Sequence, residues 1–236
     1  FTPALKTALK QQGIARQLYD DTNLRALISF CSRKLQRPFD CRDVQFLQLF
    51  LQYCLIQHHL GNTPQFSPVQ RNWTQSRGEY FTAQEIVRHW KRRVPQGTHS
   101  DEQLFLALLF MMLRTPDPVL DKHQQDQRLR RAIVRMIARF RAQTGMNFSD
   151  EQGLTDQLYV HLAQALDRSL FEIGIDNSLP EEIHRLYPRL LRTTKEALFE
   201  LEAEFGLRFS DEEMSLVAVI FGAWLMQETD LHEKQV

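Results

Sequence analysis

A period of three to four residues governs this sequence. Apolar residues recur at helical spacing along nearly the whole chain, while the alternating β-branched runs that make strands are almost absent. Only nine glycines and nine prolines interrupt its 236 residues. An all-α protein is predicted. Two segments go further. DVQFLQLFLQYCLIQHHL (43–60) is apolar on most of its circumference, and SDEQLFLALLFMML (100–113) follows a serine cap and an acidic first turn with an almost unbroken apolar run. Helices without a polar face belong at the centre of a bundle.

The order of segments repeats. In the first half LRALISFCSRKL (24–35), ended by Pro38, precedes the buried helix 43–60. Then come a stretch read as irregular on account of Pro64, Pro68 and Gly78, an amphipathic helix at 81–94 closed by Pro95 and Gly97, and the helix at 100–113. The second half runs through an amphipathic helix at 127–143 capped by Gly145, a helix from Ser149 to about 171, the interruption IGIDNSLPEE, a helix at 187–206 ending on Gly206, and FSDEEMSLVAVIFGAWLM (209–226). Ser100-Asp101-Glu102 and Ser210-Asp211-Glu212 mark the two copies, about 110 residues apart. The expected layout is an N-terminal connecting segment at 1–19, a first domain at 20–115, a linker at 116–121 around Pro116 and Pro118, a second domain at 122–229 and a tail at 230–236. Each domain should hold about five helices.

Composition removes several classes of function. Lys plus Arg and Asp plus Glu number 29 each, so no overall basic field draws nucleic acid or an anionic membrane. Cys31, Cys41 and Cys54 form no CxxC pair, which speaks against a disulfide framework or a thiolate zinc site and for a reducing cytoplasm. No run approaches the roughly 18 apolar residues of a membrane span. The chain begins with Phe1 and is read as a segment of something longer.

Few residues invite chemistry. No phosphate-binding glycine loop, dinucleotide motif or nucleophile elbow is present. His58 and His59 are adjacent and point about 100° apart on a helix, so they cannot share a metal as i, i+4 ligands do. Asp20-Asp21 and Glu181-Glu182 suit helix N-termini better than acid–base catalysis. The arginines at 128, 131, 135, 139 and 141 read as a solvated helix face, paired with a partner subunit if with anything. His161, in LYVHLAQALDR (158–168), stands out because it borders the apolar stripe of Leu154, Leu158, Leu162, Ala165 and Leu166. It is either a core histidine satisfied by its neighbours or a nucleophile at an interface. Neutral imidazole is nucleophilic near pH 7, and an arginine could meet the charge of a phosphate placed on it.

The second half resembles the PTS-regulation domain, the duplicated helical module of bacterial transcriptional regulators and antiterminators. The resemblance rests on His161-Leu162, Arg168, Asn177, Leu179, Glu182-Ile183, Tyr187-Pro188 and the acidic start of the last helix. The first half is similar to a diverged copy. The resemblance implies a non-enzymatic regulatory segment without cofactor or metal, forming a homodimer. It implies phosphate passed to histidines by the phosphocarrier protein or a sugar-permease component, and DNA or RNA reached only through a domain absent from this chain. Position by position, His161 matches one acceptor and Arg168 is the candidate phosphate partner. The companion acceptor positions hold Phe50, with Gln52 as the other possible register, Leu109 and Ile220, and the family's proline is Ser178. A degenerate interaction module that no longer receives phosphate is the alternative.

Overall fold

The computed structural model describes residues 7, 21–62, 64–93 and 100–233. These carry ten long or short helices and, among the described residues, no strand. Contacts divide the chain into two units, Phe1–Arg114 and Thr115–Val236.

The first unit contains α1 (Asp21–Leu35), α2 (Cys41–His59), α3 (Pro68–Gln75), α4 (Gly78–Arg93) and α5 (Ser100–Met112). As its lack of a polar face demands, α5 is buried nearly all round, with Leu104, Leu106, Ala107, Phe110 and Met111 inside. It packs on α3 and α4, while α1 packs on α2 and α4. Leu47, Phe50, Leu51 and Cys54 bring the buried side of α2 into the same core. α1 ends on Gln36, whose left-handed φ of 53° lets the Arg37 N–H return to Ser32 O at 3.0 Å. Arg37 then clamps the unit, donating to Glu79 Oε1 at 2.6 Å and to Phe110 O at 3.3 Å. Burial alone would raise the pKa of Glu79, but the charges of Arg77 and Arg37 outweigh it and hold the carboxyl below its ordinary range.

One expectation fails here for a clear reason. The stretch after Gly61 is not simply irregular, because it contains α3, and α4 begins at Gly78. Ser67 Oγ accepts the Gln70 N–H at 3.2 Å, and Gln70 Oε1 accepts the Ser67 N–H at 2.9 Å. Pro68 sits in the first turn, where its missing N–H has no partner to lose. Read as a breaker, this proline is a helix start. The expected breaks at Pro95 and Gly97 lie outside the described residues, as do the side chains of Ser100, His58 and His59.

The second unit contains α6 (Gln124–Thr144), α7 (Glu151–Leu170), α8 (Leu179–Leu186), α9 (Pro188–Phe205) and α10 (Asp211–Glu233). Here too a short helix with proline in its first turn, α8, occupies the supposed interruption, started by Asn177 Oδ1 accepting the Leu179 N–H at 3.1 Å. The two units therefore share one order of five helices. α6 packs on α7 and α9, and α10 packs on α7, α8 and α9. At the centre Phe140 and Phe221 stack face to face, 3.9 Å between centroids. Gly145 and Gly206 end α6 and α9 at φ of 69° and 66°, as their places in the sequence imply.

Two local expectations need adjustment. Asp150, not Ser149, caps α7, accepting the Gly153 N–H at 2.8 Å. Ser149 instead donates its N–H and its hydroxyl to Glu228 Oε1, 2.7 Å each, tying the start of α7 to the far end of α10. The α6 arginines find partners in their own unit: Arg128 and Arg135 pair with Glu204, and Arg139 with Glu200, both on α9. The segment before α6 is an ordered turn. Asp117 Oδ1 accepts the N–H groups of Val119 and Leu120, and the Asp121 carboxylate accepts the Asp117 N–H at 3.0 Å and the Tyr159 hydroxyl at 2.8 Å.

Gly153 is required by packing. A Cβ there would stand 2.8 Å from the Trp224 ring and against the capping Asp150. Gly153→Ala is expected to destabilise the second unit by about 1–3 kcal/mol, although alanine favours helix. A lower denaturant midpoint at unchanged slope would show this; an equal or higher midpoint would show that Trp224 yields freely.

Candidate functional site

The stripe of Leu154, Leu158, Leu162, Ala165 and Leu166 on α7 is fully buried. His161 lies at its border, with 17% of its side chain exposed. Arg168 follows two turns later on the same side of the helix, roughly 10 Å along the axis. The long arginine side chain closes that gap by meeting a third residue. Glu213 enters from the first turn of α10, where Ser210 Oγ accepts its N–H at 3.2 Å, and its side chain is only 4% exposed. Arg168 grips it with two bonds, Nε to Oε1 at 2.6 Å and Nη2 to Oε2 at 3.2 Å. His161 Nε2 lies 3.2 Å from Glu213 Oε2, a close polar contact that lacks the alignment of a hydrogen bond.

Electrostatics follow from this crowding. Burial alone would raise the Glu213 pKa, but the contacts with His161 and Arg168 outweigh it and hold the carboxyl below its ordinary value of 4.5. The site is thus an anion inside the bundle, fixed between a permanent cation and an imidazole that still reaches solvent. The structure brings His161 and Arg168 together through Glu213.

At the companion positions the first unit is built differently. Phe50 is buried, with its ring centroid 5.7, 6.4 and 5.4 Å from those of Phe46, Tyr53 and Phe105. Leu109 lies in the same apolar core. Ile220 on α10 is half-buried. None offers a nucleophilic atom. The separation that relates Phe50 to His161 and Leu109 to Ile220 also relates Glu102 to Glu213 and Gln57 to Arg168. Glu102 is buried like Glu213. Beside it burial pushes the Cys54 thiol well above its ordinary pKa, and the Glu102 charge adds to the effect. The buried acid is kept in both units, while the histidine and arginine occur in the second alone.

Sequence reasoning missed Glu213 as a site residue. An acidic run at a helix start is explained by the helix dipole, and the sequence Asp211-Glu212-Glu213 does not say which acid turns inward. The available signal was that Glu213 is the third of the run, four residues before the buried Val217. Among the described residues, no group of three or more His, Cys, Asp or Glu side chains converges as a metal site.

Two five-helix units in one order, with this cluster in the second, define a tandem helical module, and the chain belongs to the PRD domain family, which matches residues 25–112 and 134–224. Over all 236 residues it is 64% identical to the stationary phase-inducible protein CsiE of Escherichia coli (strain K12), of which it spans 55%. It is also 24% identical over 140 residues, 58% of this chain, to the transcriptional regulator ManR of Bacillus subtilis (strain 168), of which that match covers 22%. The chain therefore spans about half the length of the first relative and under a quarter of the second. No solved structure matches it significantly.

The buried carboxylate sets two expectations. Arg168→Met leaves Glu213 inside without its strong partner and should destabilise the second unit by about 3–5 kcal/mol. Glu213 has a lowered pKa in the folded state, so its stabilising contribution is complete above its ordinary value of 4.5 and is lost as pH falls through the lower folded value. Glu213→Gln should therefore flatten the acid limb of stability against pH. An acid limb unchanged by that substitution would mean that Glu213 carries no such charge.

Proposed function

We propose that this chain is a non-enzymatic regulatory segment of a bacterial transcription regulator, dimerising through its helical domains and controlled by phosphate received at His161. The donor is the phosphocarrier protein or a sugar-permease component of the phosphotransferase system, and nucleic acid is reached only through another domain of the longer protein. The observation that carries this reading is the convergence of His161 and Arg168 on Glu213 at a half-open position.

With its proton on Nε2, facing Glu213, the ring presents Nδ1 as the nucleophile. Attack on a donor phosphohistidine forms one N–P bond and breaks another, and the carboxylate steadies the proton left on the far nitrogen. The product brings a charge of about −1.5 to −2 beside a buried anion. It also gives Arg168 a second acceptor. The clamp between α7 and α10 is then contested, which supplies the bias a two-state packing needs.

One observation favours a second reading, an interaction module that no longer receives phosphate. Phe50 and Leu109 are absorbed into an apolar core, so the first unit has lost any acceptor there, and His161 could persist as a packing partner of Glu213. Incubation with the phosphocarrier system and a labelled phosphate donor separates the two. Acid-labile label on the wild type that disappears in His161→Ala is the expected result. No label, or equal label on His161→Ala, would leave the module reading.

A further inference from the structure

On the side of α7 turned away from His161, Tyr159 makes a polar contact that leads to the edge of the unit. It lies two residues before His161, about 200° round the helix and about 3 Å away along the axis. Its ring is fully enclosed, yet its hydroxyl donates to Asp121 Oδ2 at 2.8 Å. Asp121 belongs to the turn through which the chain enters the second unit. The same Oδ2 accepts the Asp117 N–H at 3.0 Å, and the Asp121 N–H returns to Asp117 O at 3.0 Å. Arg130 of α6 lies over the Tyr159 ring, 4.4 Å from its centroid, and donates to the Pro118 carbonyl.

Polar bonds give this turn its order. Val119 and Leu120 are 73% and 74% exposed, so burial does not fix them, and Asp117 Oδ1 accepts their N–H groups at 2.8 and 3.0 Å. Segments with few buried apolar contacts open at low cost. A hydroxyl bond weakens steeply as distance and angle change, whereas the close-packed Tyr159 ring moves only with its helix. The order of the turn therefore depends on where α7 lies. The phosphate site bears on that position, because Glu213 holds His161 and Arg168 against the first turn of α10. Two other bonds join these elements, Trp224 to Gln157 and Ser149 to Glu228, but neither involves the acceptor or its arginine. A small rotation of α7 about its axis displaces His161 and Tyr159 together, in opposite directions.

We infer that α7 relays the state of the His161–Glu213–Arg168 cluster to the turn at 117–121, so that releasing Glu213 loosens the connection between the two units. Its natural trigger rests on the phosphate reading above, while the relay is testable without phosphate.

Amide hydrogen exchange in the 236-residue chain reads it. Glu213→Gln should speed exchange at Val119 and Leu120 by about fivefold or more, the lower end of ordinary coupling between sites. Leu198 and Leu201 in the core of α9 should change less. Tyr159→Phe keeps the ring, removes the hydroxyl and should speed the two turn amides by itself. Adding Glu213→Gln to it should then change them by less than about twofold. Asp121→Ala breaks the same bond from the half-exposed turn, where folding is not at stake, and should abolish the response to Glu213→Gln in the same way. Turn amides indifferent to Glu213→Gln overturn the relay. So does equal acceleration at Leu198 and Leu201, which means that the whole unit loosens, or full additivity with Tyr159→Phe and Asp121→Ala, which means another route. Treatment with the phosphocarrier system and a phosphate donor should act on the same amides in the same direction. Label on His161 without a change at Val119 and Leu120 overturns the relay and leaves the phosphate reading. An unlabelled wild type overturns the phosphate reading, and the variants still decide the relay.

Discussion

A carboxylate inside a helical bundle has to be met there by polar partners, a cation first among them, and the second unit is arranged around that requirement. Glu213 can occupy the inner face of α10 only because Arg168 and His161 reach it from α7, two turns apart on one side of that helix. The pairing fixes the register between the two most apolar helices of the unit. Hydrophobic contacts alone leave such a register loosely determined, since one leucine packs much like another. Two further polar ties lie toward the other end of α10: Trp224 Nε1 donates to Gln157 Oε1 of α7 at 2.7 Å, and Ser149, just before α7, is bonded to Glu228. The apolar surfaces provide the driving force for packing, and these polar contacts specify how α7 and α10 align.

The first unit meets the same constraint by other means. Its aromatic group of Phe46, Phe50, Tyr53 and Phe105 fills the region corresponding to His161 with rings. Its strongly held carboxylates are Glu79, at the start of α4 between Arg37 and Arg77, and Asp101, at the start of α5 and gripped by both Nη atoms of Arg71. Arg37 also reaches Phe110 O, so the clamp joins the α1–α2 connection to α4 and α5. One architecture thus carries two internal charge arrangements, and the His161 cluster belongs to the second alone. A duplicated module can retain its fold while its two copies differ inside, because rings and leucines fill in one the volume that the histidine cluster takes in the other.

The helical class, the order of segments, the caps at Gly145 and Gly206 and the buried stripe around His161 were legible because each rests on local spacing. What stayed hidden depended on context. Pro68 and Pro180 resemble helix breakers until the preceding side-chain bonds show them to be in first turns. The arginines of α6 resemble a face awaiting another subunit, since their partners Glu200 and Glu204 lie some sixty to seventy-five residues away on α9. Glu213 resembles its two acidic neighbours, and only the packing of α10 distinguishes it. Leu186 and Tyr187 mark the limit of pattern reading in the other direction, since their sequence gives no sign that two large apolar side chains remain outside.

The turn ahead of α6 bears on how the second unit could be excised. Asp121 receives the Tyr159 hydroxyl, Asp117 organises the two residues after it, and Arg130 bonds the Pro118 carbonyl. A fragment cut just before α6 would take the carboxylate away from a tyrosine that is fully enclosed. The second unit begins at Thr115, and the proline-rich stretch is its first structural element.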